Sequence, residues 1–182
     1  MLNGVPNTSF TEALAFVFQA RDLALLDMEQ ENEMSKHLTA LDNIWSNFEI
    51  MGVSLVDINV WRWLYENPNA TAAELKTAVN RIAIETWNQF FAPVFGIKDS
   101  PILAVYSHMI DYPLYLSAYP IGQLIEFQFS EYIKDKDFAA EVYRAFTQGR
   151  IIPQLWMKNA VGNPISPQPV IEAAENAVKA LK

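Results

Sequence analysis

The chain has 182 residues, 51% of them hydrophobic, with 13 Lys+Arg against 21 Asp+Glu for a net charge of -8. That material builds a core for a single domain over 1–182, and the acidic balance without a basic stripe argues against a phosphate-backbone partner, so no nucleic acid is expected. With no cysteine, disulfides, thiolate nucleophiles and Cys-ligated metals drop out, which leaves the compartment open.

Apolar positions recur at helical spacing almost throughout, and the predicted class is an all-α, multi-helix array. Asn7, Thr8 or Ser9 can cap a first helix running to about Leu26. The acidic stretch Asp27 to Glu33 reads as a solvated connection. The stripe Leu38, Leu41, Trp45, Phe48, Leu55, Ile58, Trp61, Leu64 predicts one long helix over 33–66, stopped by Asn67-Pro68-Asn69. Thr71 followed by Glu74 is a capping box, and a helix over 72–91 should follow. Asp99-Ser100-Pro101 opens a short helix of about 101–109.

Pro113 and Pro120 then interrupt a helical pattern that resumes through Ile121, Leu124, Ile125, Gln128 and Tyr132, so a turn or kink is expected there. Asp137 caps a helix that Gly149 ends, Pro153 to Val161 forms another, and Ser166-Pro167 opens the last. No repeat, low-complexity tract or strand pair is evident. The longest apolar-leaning uncharged run, Tyr112 to Ile125, is shorter than a bilayer requires and carries two prolines, and residues 1–11 lack a basic start. The chain reads as soluble, with no membrane span.

The two histidines, His37 and His108, form no HExxH pair, and neither a GxSxG elbow nor a phosphate-binding glycine loop is present. Two places stand out. Glu12 sits in the apolar run Phe10 to Val17, where burial of a carboxylate is costly without a partner; a first-turn carboxylate complementing the helix dipole is the plainer reading. His108, Tyr112, Tyr115 and Tyr119 fall within twelve residues, the tyrosines at i, i+3 and i+7 on one helix face. Such a row could present several O–H groups and an imidazole to one anionic point, or form an aromatic core stripe. Asp57 and Glu126 read as helix-face acids or as buried partners of arginines such as Arg62, Arg81 or Arg144. Trp61-Arg62-Trp63 reads as core with a stacked guanidinium.

The stretches Asn3-Gly4-Val5-Pro6-Asn7-Thr8-Ser9-Phe10-Thr11-Glu12-Ala13-Leu14-Ala15-Phe16 and His108-Met109-Ile110-Asp111-Tyr112-Pro113-Leu114-Tyr115-Leu116-Ser117-Ala118-Tyr119-Pro120-Ile121-Gly122 resemble the C-terminal catalytic half of gluzincin zinc metallopeptidases. The likeness is to the oligoendopeptidase F and thimet oligopeptidase family, and more loosely to angiotensin-converting enzyme. There, HExxH gives two zinc ligands and the general base, and a downstream Glu gives the third ligand. A later His and Tyr segment contacts substrate and the oxyanion. The resemblance implies that Glu12 is the third zinc ligand, that His108 is a substrate or oxyanion contact, and that one or two of Tyr112, Tyr115 and Tyr119 are oxyanion donors.

The tyrosine spacing differs from that of the thimet enzymes, and no HExxH precedes Glu12 in the chain. The resemblance therefore implies the C-terminal part of a peptidase, with zinc and peptide substrate belonging to the complete enzyme. It also implies a missing N-terminal HExxH-bearing segment as partner, and no zinc in this chain alone. A chain lacking that segment should expose apolar surface and self-associate, for instance as a homodimer. The alternative is a non-catalytic helical module that binds peptides or itself.

Overall fold

A computed structural model describes residues 4–25 and 33–182. Its elements are α1 (Thr8–Leu25), α2 (Glu33–Glu66), α3 (Ala72–Thr86), α4 (Ala92–Phe95), α5 (His108–Asp111), α6 (Ala118–Ile133), α7 (Phe138–Phe146), α8 (Pro153–Val161) and α9 (Gln168–Ala180). A π turn, Trp87–Phe91, joins α3 to α4, and a 3-10 turn, Ile102–Ala104, precedes α5. No strand occurs among the described residues, and the fold is all-α. Apart from Glu33, where α2 begins, the expected connection Asp27 to Glu33 lies outside the described residues.

Local chemistry sets most helix ends. Asn7 Oδ1 accepts the Ser9 N–H at 3.0 Å, so Asn7 supplies the cap of α1. At α3 both halves of the capping box form: the Thr71 N–H reaches Glu74 Oε2 at 2.8 Å and the Glu74 N–H reaches Thr71 Oγ1 at 3.3 Å. Asp137 Oδ1 accepts the Ala140 N–H at 2.7 Å and opens α7. Gly162, at φ 83°, closes α8 in the left-handed conformation that residues with a Cβ disfavour.

Two helices differ from expectation. The helix expected over 72–91 stays α-helical only to Thr86, then widens into the π turn, where the Ala92 N–H bonds the Trp87 carbonyl five residues back. Pro93 has no N–H for the carbonyl four residues before it, and its ring would crowd that carbonyl; a widened turn ahead of it relieves both. The helix expected over 101–109 is instead the 3-10 turn and the separate α5, divided at Val105, whose φ of -99° and ψ of 78° are not helical.

Contacts divide the chain into two compact units, Met1–Asn47 with Ala118–Lys182, and Phe48–Ser117. The first unit is organised by α1 against α6. Phe10, Ala13 and Val17 on α1 and Ile125, Phe129 and Ile133 on α6 are buried with Phe146, Trp156, Met157 and Ala160. The rings meet edge to face, Phe10 with Trp156 at 4.8 Å and Phe146 with Trp156 at 5.1 Å between centroids. Gly122 lies against Ser9, Glu12 and Ala13, and Phe138 packs beside Phe18 and Arg21, so the chain runs the same way along both sides of this pair. Gln128 fastens the loop before α9, donating to the Pro164 carbonyl at 3.0 Å and accepting the Ser166 N–H at 2.9 Å.

In the second unit Val53 and Val56 on α2, Ala78, Ile82 and Ala83 on α3, and Phe91, Leu103 and Leu116 are buried. Trp87 stacks on Phe91 at 5.3 Å and donates its Nε1–H to the Ile97 carbonyl at 2.8 Å. The expected guanidinium stack at residues 61–63 is not seen: Trp61 pairs with Tyr65 at 6.0 Å, and the exposed Arg62 reaches Asn59 Oδ1 at 3.5 Å.

Candidate functional site

The His and Tyr segment of the second unit is short and turn-rich. Helix α5 ends as the Tyr112 N–H bonds the His108 carbonyl at 2.9 Å, and the Tyr115 N–H then bonds the Tyr112 carbonyl at 3.1 Å. Pro113 is the second residue of that four-residue turn and Leu114, at φ 64°, the third. Proline followed by a residue of positive φ, closed by the i to i+3 bond, is the signature of a type II turn.

The helix face expected to carry Tyr112, Tyr115 and Tyr119 is therefore not formed. Tyr112 ends α5, Tyr115 closes the turn and Tyr119 opens α6, because Pro113 breaks the helical bonding between them. The turn itself brings Tyr112 and Tyr115 together, with ring centroids 6.3 Å apart. His108 lies 5.8 Å from Tyr112 and 5.5 Å from Tyr106. The result is a row of an imidazole and three phenols, in which Tyr112 is 62% exposed and His108 and Tyr115 are half-buried. His108 Nδ1 is 3.4 Å from Ser107 Oγ. Imidazole and phenol groups can both donate and accept hydrogen bonds, the chemistry needed to hold a polarised carbonyl or an anionic oxygen.

Behind this row stands Asp57 on α2, only 2% exposed. Its Oδ2 accepts the Leu114 N–H at 2.8 Å, so its partner is a backbone amide rather than one of the arginines expected from sequence. Burial pushes the carboxyl above its usual range, and the Leu114 N–H opposes this. The sequence signal was one acid on an otherwise buried α2 face beside Val53 and Val56. Its partner is 57 residues away and could not be read from spacing.

Glu12 belongs to the first unit, as does Tyr119. Helix α1 begins at Thr8, so Glu12 lies beyond the first turn and is half-buried, and the plainer helix-dipole role is not what places it there. Tyr119 sits on α6 one turn before Gly122, where α1 and α6 come into near backbone contact. A Cβ at Gly122 would lie 2.8 Å from Glu12 Cβ and 3.0 Å from the Ser9 carbonyl oxygen. Glu12 and Tyr119 thus flank one helix crossing. One turn beyond Gly122, the half-buried Glu126 accepts the Ser130 hydroxyl at 2.7 Å, again in place of an arginine. Burial raises its carboxyl above the ordinary range, with the Ser130 bond opposing.

Among the described residues no three His, Cys, Asp or Glu side chains are grouped as a metal centre requires. Glu12 by itself is not a zinc ligand set, which takes three protein groups. No described helix is long and apolar enough to cross a membrane. No protein-family model, curated protein or solved structure matches the chain.

Proposed function

We propose that this chain is the C-terminal part of a zinc-dependent metallopeptidase, contributing a metal ligand and substrate contacts to a catalytic centre completed by an HExxH-bearing segment outside these 182 residues. The observation that supports this best is the row of His108, Tyr112 and Tyr115, held side by side by a turn and accessible to a ligand. Glu12 would supply one carboxylate to the metal, which when bound activates water for attack on a peptide carbonyl. His108 and a tyrosine hydroxyl would donate to the oxygen on which charge develops, a role worth about 10²–10³-fold in rate per donor.

The reading is tested on the protein made from its whole reading frame together with the upstream coding sequence. An HExxH encoded there, one zinc per chain that is lost in Glu12→Ala, and cleavage of a fluorogenic peptide are expected. Replacing the operative tyrosine among Tyr112, Tyr115 and Tyr119 by Phe should lower kcat by about 10²-fold while sparing zinc content. Absence of an encoded HExxH, together with zinc-free protein, would favour the second reading of a non-catalytic helical module that binds a peptide or a second copy through its exposed aromatic residues. Exposure of Tyr106 and Tyr112 in the row and of Ile110 beside them supports that second reading.

A further inference from the structure

We infer that Asp57 is the positioning residue of the His108–Tyr115 row, because its buried carboxylate holds the N–H of left-handed Leu114 at the centre of the turn that pairs Tyr112 with Tyr115. The inference rests on the substrate-contact role proposed above for that row.

A type II turn wants glycine or asparagine at its third position, because a side chain there disfavours positive φ. Leucine occupies it here, so local preference works against the observed turn. In such a turn the third residue's N–H takes no part in the closing bond and needs an acceptor from elsewhere. Asp57 provides one, and it is itself 2% exposed on a long helix whose neighbouring Val53 and Val56 are buried. A carboxylate acceptor makes a stronger bond than a neutral one, and a buried one would be costly without a donor, so turn and acid each require the other. Leu116, fully buried two residues later, fixes the exit from the turn. Pro113 sets the entry, since its ring fixes the φ that the second position of this turn requires. The side-by-side placement of the two phenols therefore depends on an acid that holds the backbone of the turn between them.

The test is nuclear magnetic resonance on the chain as it stands. Wild type should show ring-to-ring contacts between Tyr112 and Tyr115 and a Leu114 amide protected from hydrogen exchange. In Asp57→Leu, of similar bulk and without an acceptor, the Leu114 amide should exchange at least about 10-fold faster and the ring contacts should disappear, while helical circular dichroism is unchanged. Adding Leu114→Gly to that variant should restore the ring contacts, because glycine adopts positive φ freely; a merely structural defect at Asp57 would not be rescued so. Ring contacts that persist in Asp57→Leu overturn the inference, and so do contacts that Leu114→Gly fails to restore. If Asp57→Leu does not fold, wild type alone still decides: a Leu114 amide exchanging at the rate of unprotected backbone overturns it. None of these readouts needs zinc or turnover. Failure of the peptidase reading therefore leaves them standing, and their failure leaves zinc content and peptide cleavage to be judged separately.

Discussion

Replacing Gly122 by Ala sets two effects of opposite sign against each other. Inside a helix, alanine is favoured over glycine by about 1 kcal/mol, so propensity alone predicts a stabilised α6. The added Cβ, however, would lie 2.8 Å from Glu12 Cβ, 3.0 Å from the Ser9 carbonyl oxygen and 3.1 Å from the Ala13 nitrogen. None of these atoms is the end of a flexible side chain. Carbon atoms rest about 3.5–4.0 Å apart, so α1 as a body would have to retreat by roughly 0.7 Å or more.

That retreat loosens Phe10, Ala13 and Val17, all buried against α6 and its neighbours. Overpacking of this kind costs about 1–3 kcal/mol, rising where backbone must move, so the upper part of that range applies and a net loss of about 1–2 kcal/mol remains after the propensity gain. For a chain of this size that lowers Tm by about 2–8 °C, readable by circular dichroism at 222 nm. A Tm equal to or above wild type would refute the close-approach argument and leave propensity in command.

Three other outcomes are expected. Glu126 has a folded-state carboxyl raised above its ordinary 4.5, so the folded state holds the proton more tightly and the group's contribution to stability falls as pH rises from about 4.5 through the raised value. Glu126→Gln, which keeps an acceptor for Ser130, should flatten that slope and raise stability at neutral pH in urea titrations at several pH values; an unchanged slope would show that Glu126 does not carry it. Gln128→Leu leaves the Pro164 carbonyl and the Ser166 N–H without their present partner and should cost about 1–3 kcal/mol by urea denaturation, with faster hydrogen exchange at Ser166. Asp137→Ala removes the cap of α7 and should cost about 1 kcal/mol, whereas Asp137→Asn should recover most of it; equal losses in both would remove the cap from the account.

The all-α class and most helix limits were legible because they rest on local chemistry. The 34-residue α2, the Thr71–Glu74 box, the Asp137 cap and the Pro153 to Gly162 helix each depend on residues within four positions of one another. Several of the departures from the sequence reading arise where a proline acts at a distance of several bonds or a partner lies far along the chain. Pro93 changes the turn ahead of it rather than ending a helix, and Pro113 makes the expected turn but thereby removes the helical face that Tyr112, Tyr115 and Tyr119 were expected to share. Asp57 and Gly122 became meaningful only when Leu114 and Glu12 were seen against them. A glycine within an apolar helical pattern is a visible hint of close packing, but it does not name the helix that approaches.

Trp156 gives this protein an intrinsic optical reporter. It is fully buried among Phe10, Phe146 and Met157, and among the described residues its indole N–H has no hydrogen-bond partner. The other four tryptophans are half-buried or exposed, and Trp87 is hydrogen-bonded. An indole in dry, apolar surroundings emits toward the blue, because no solvent dipoles relax around its excited state. Red-edge and blue-edge emission, followed separately through denaturation, would therefore resolve the loss of the core beneath α1 from events elsewhere in the chain, with no label attached.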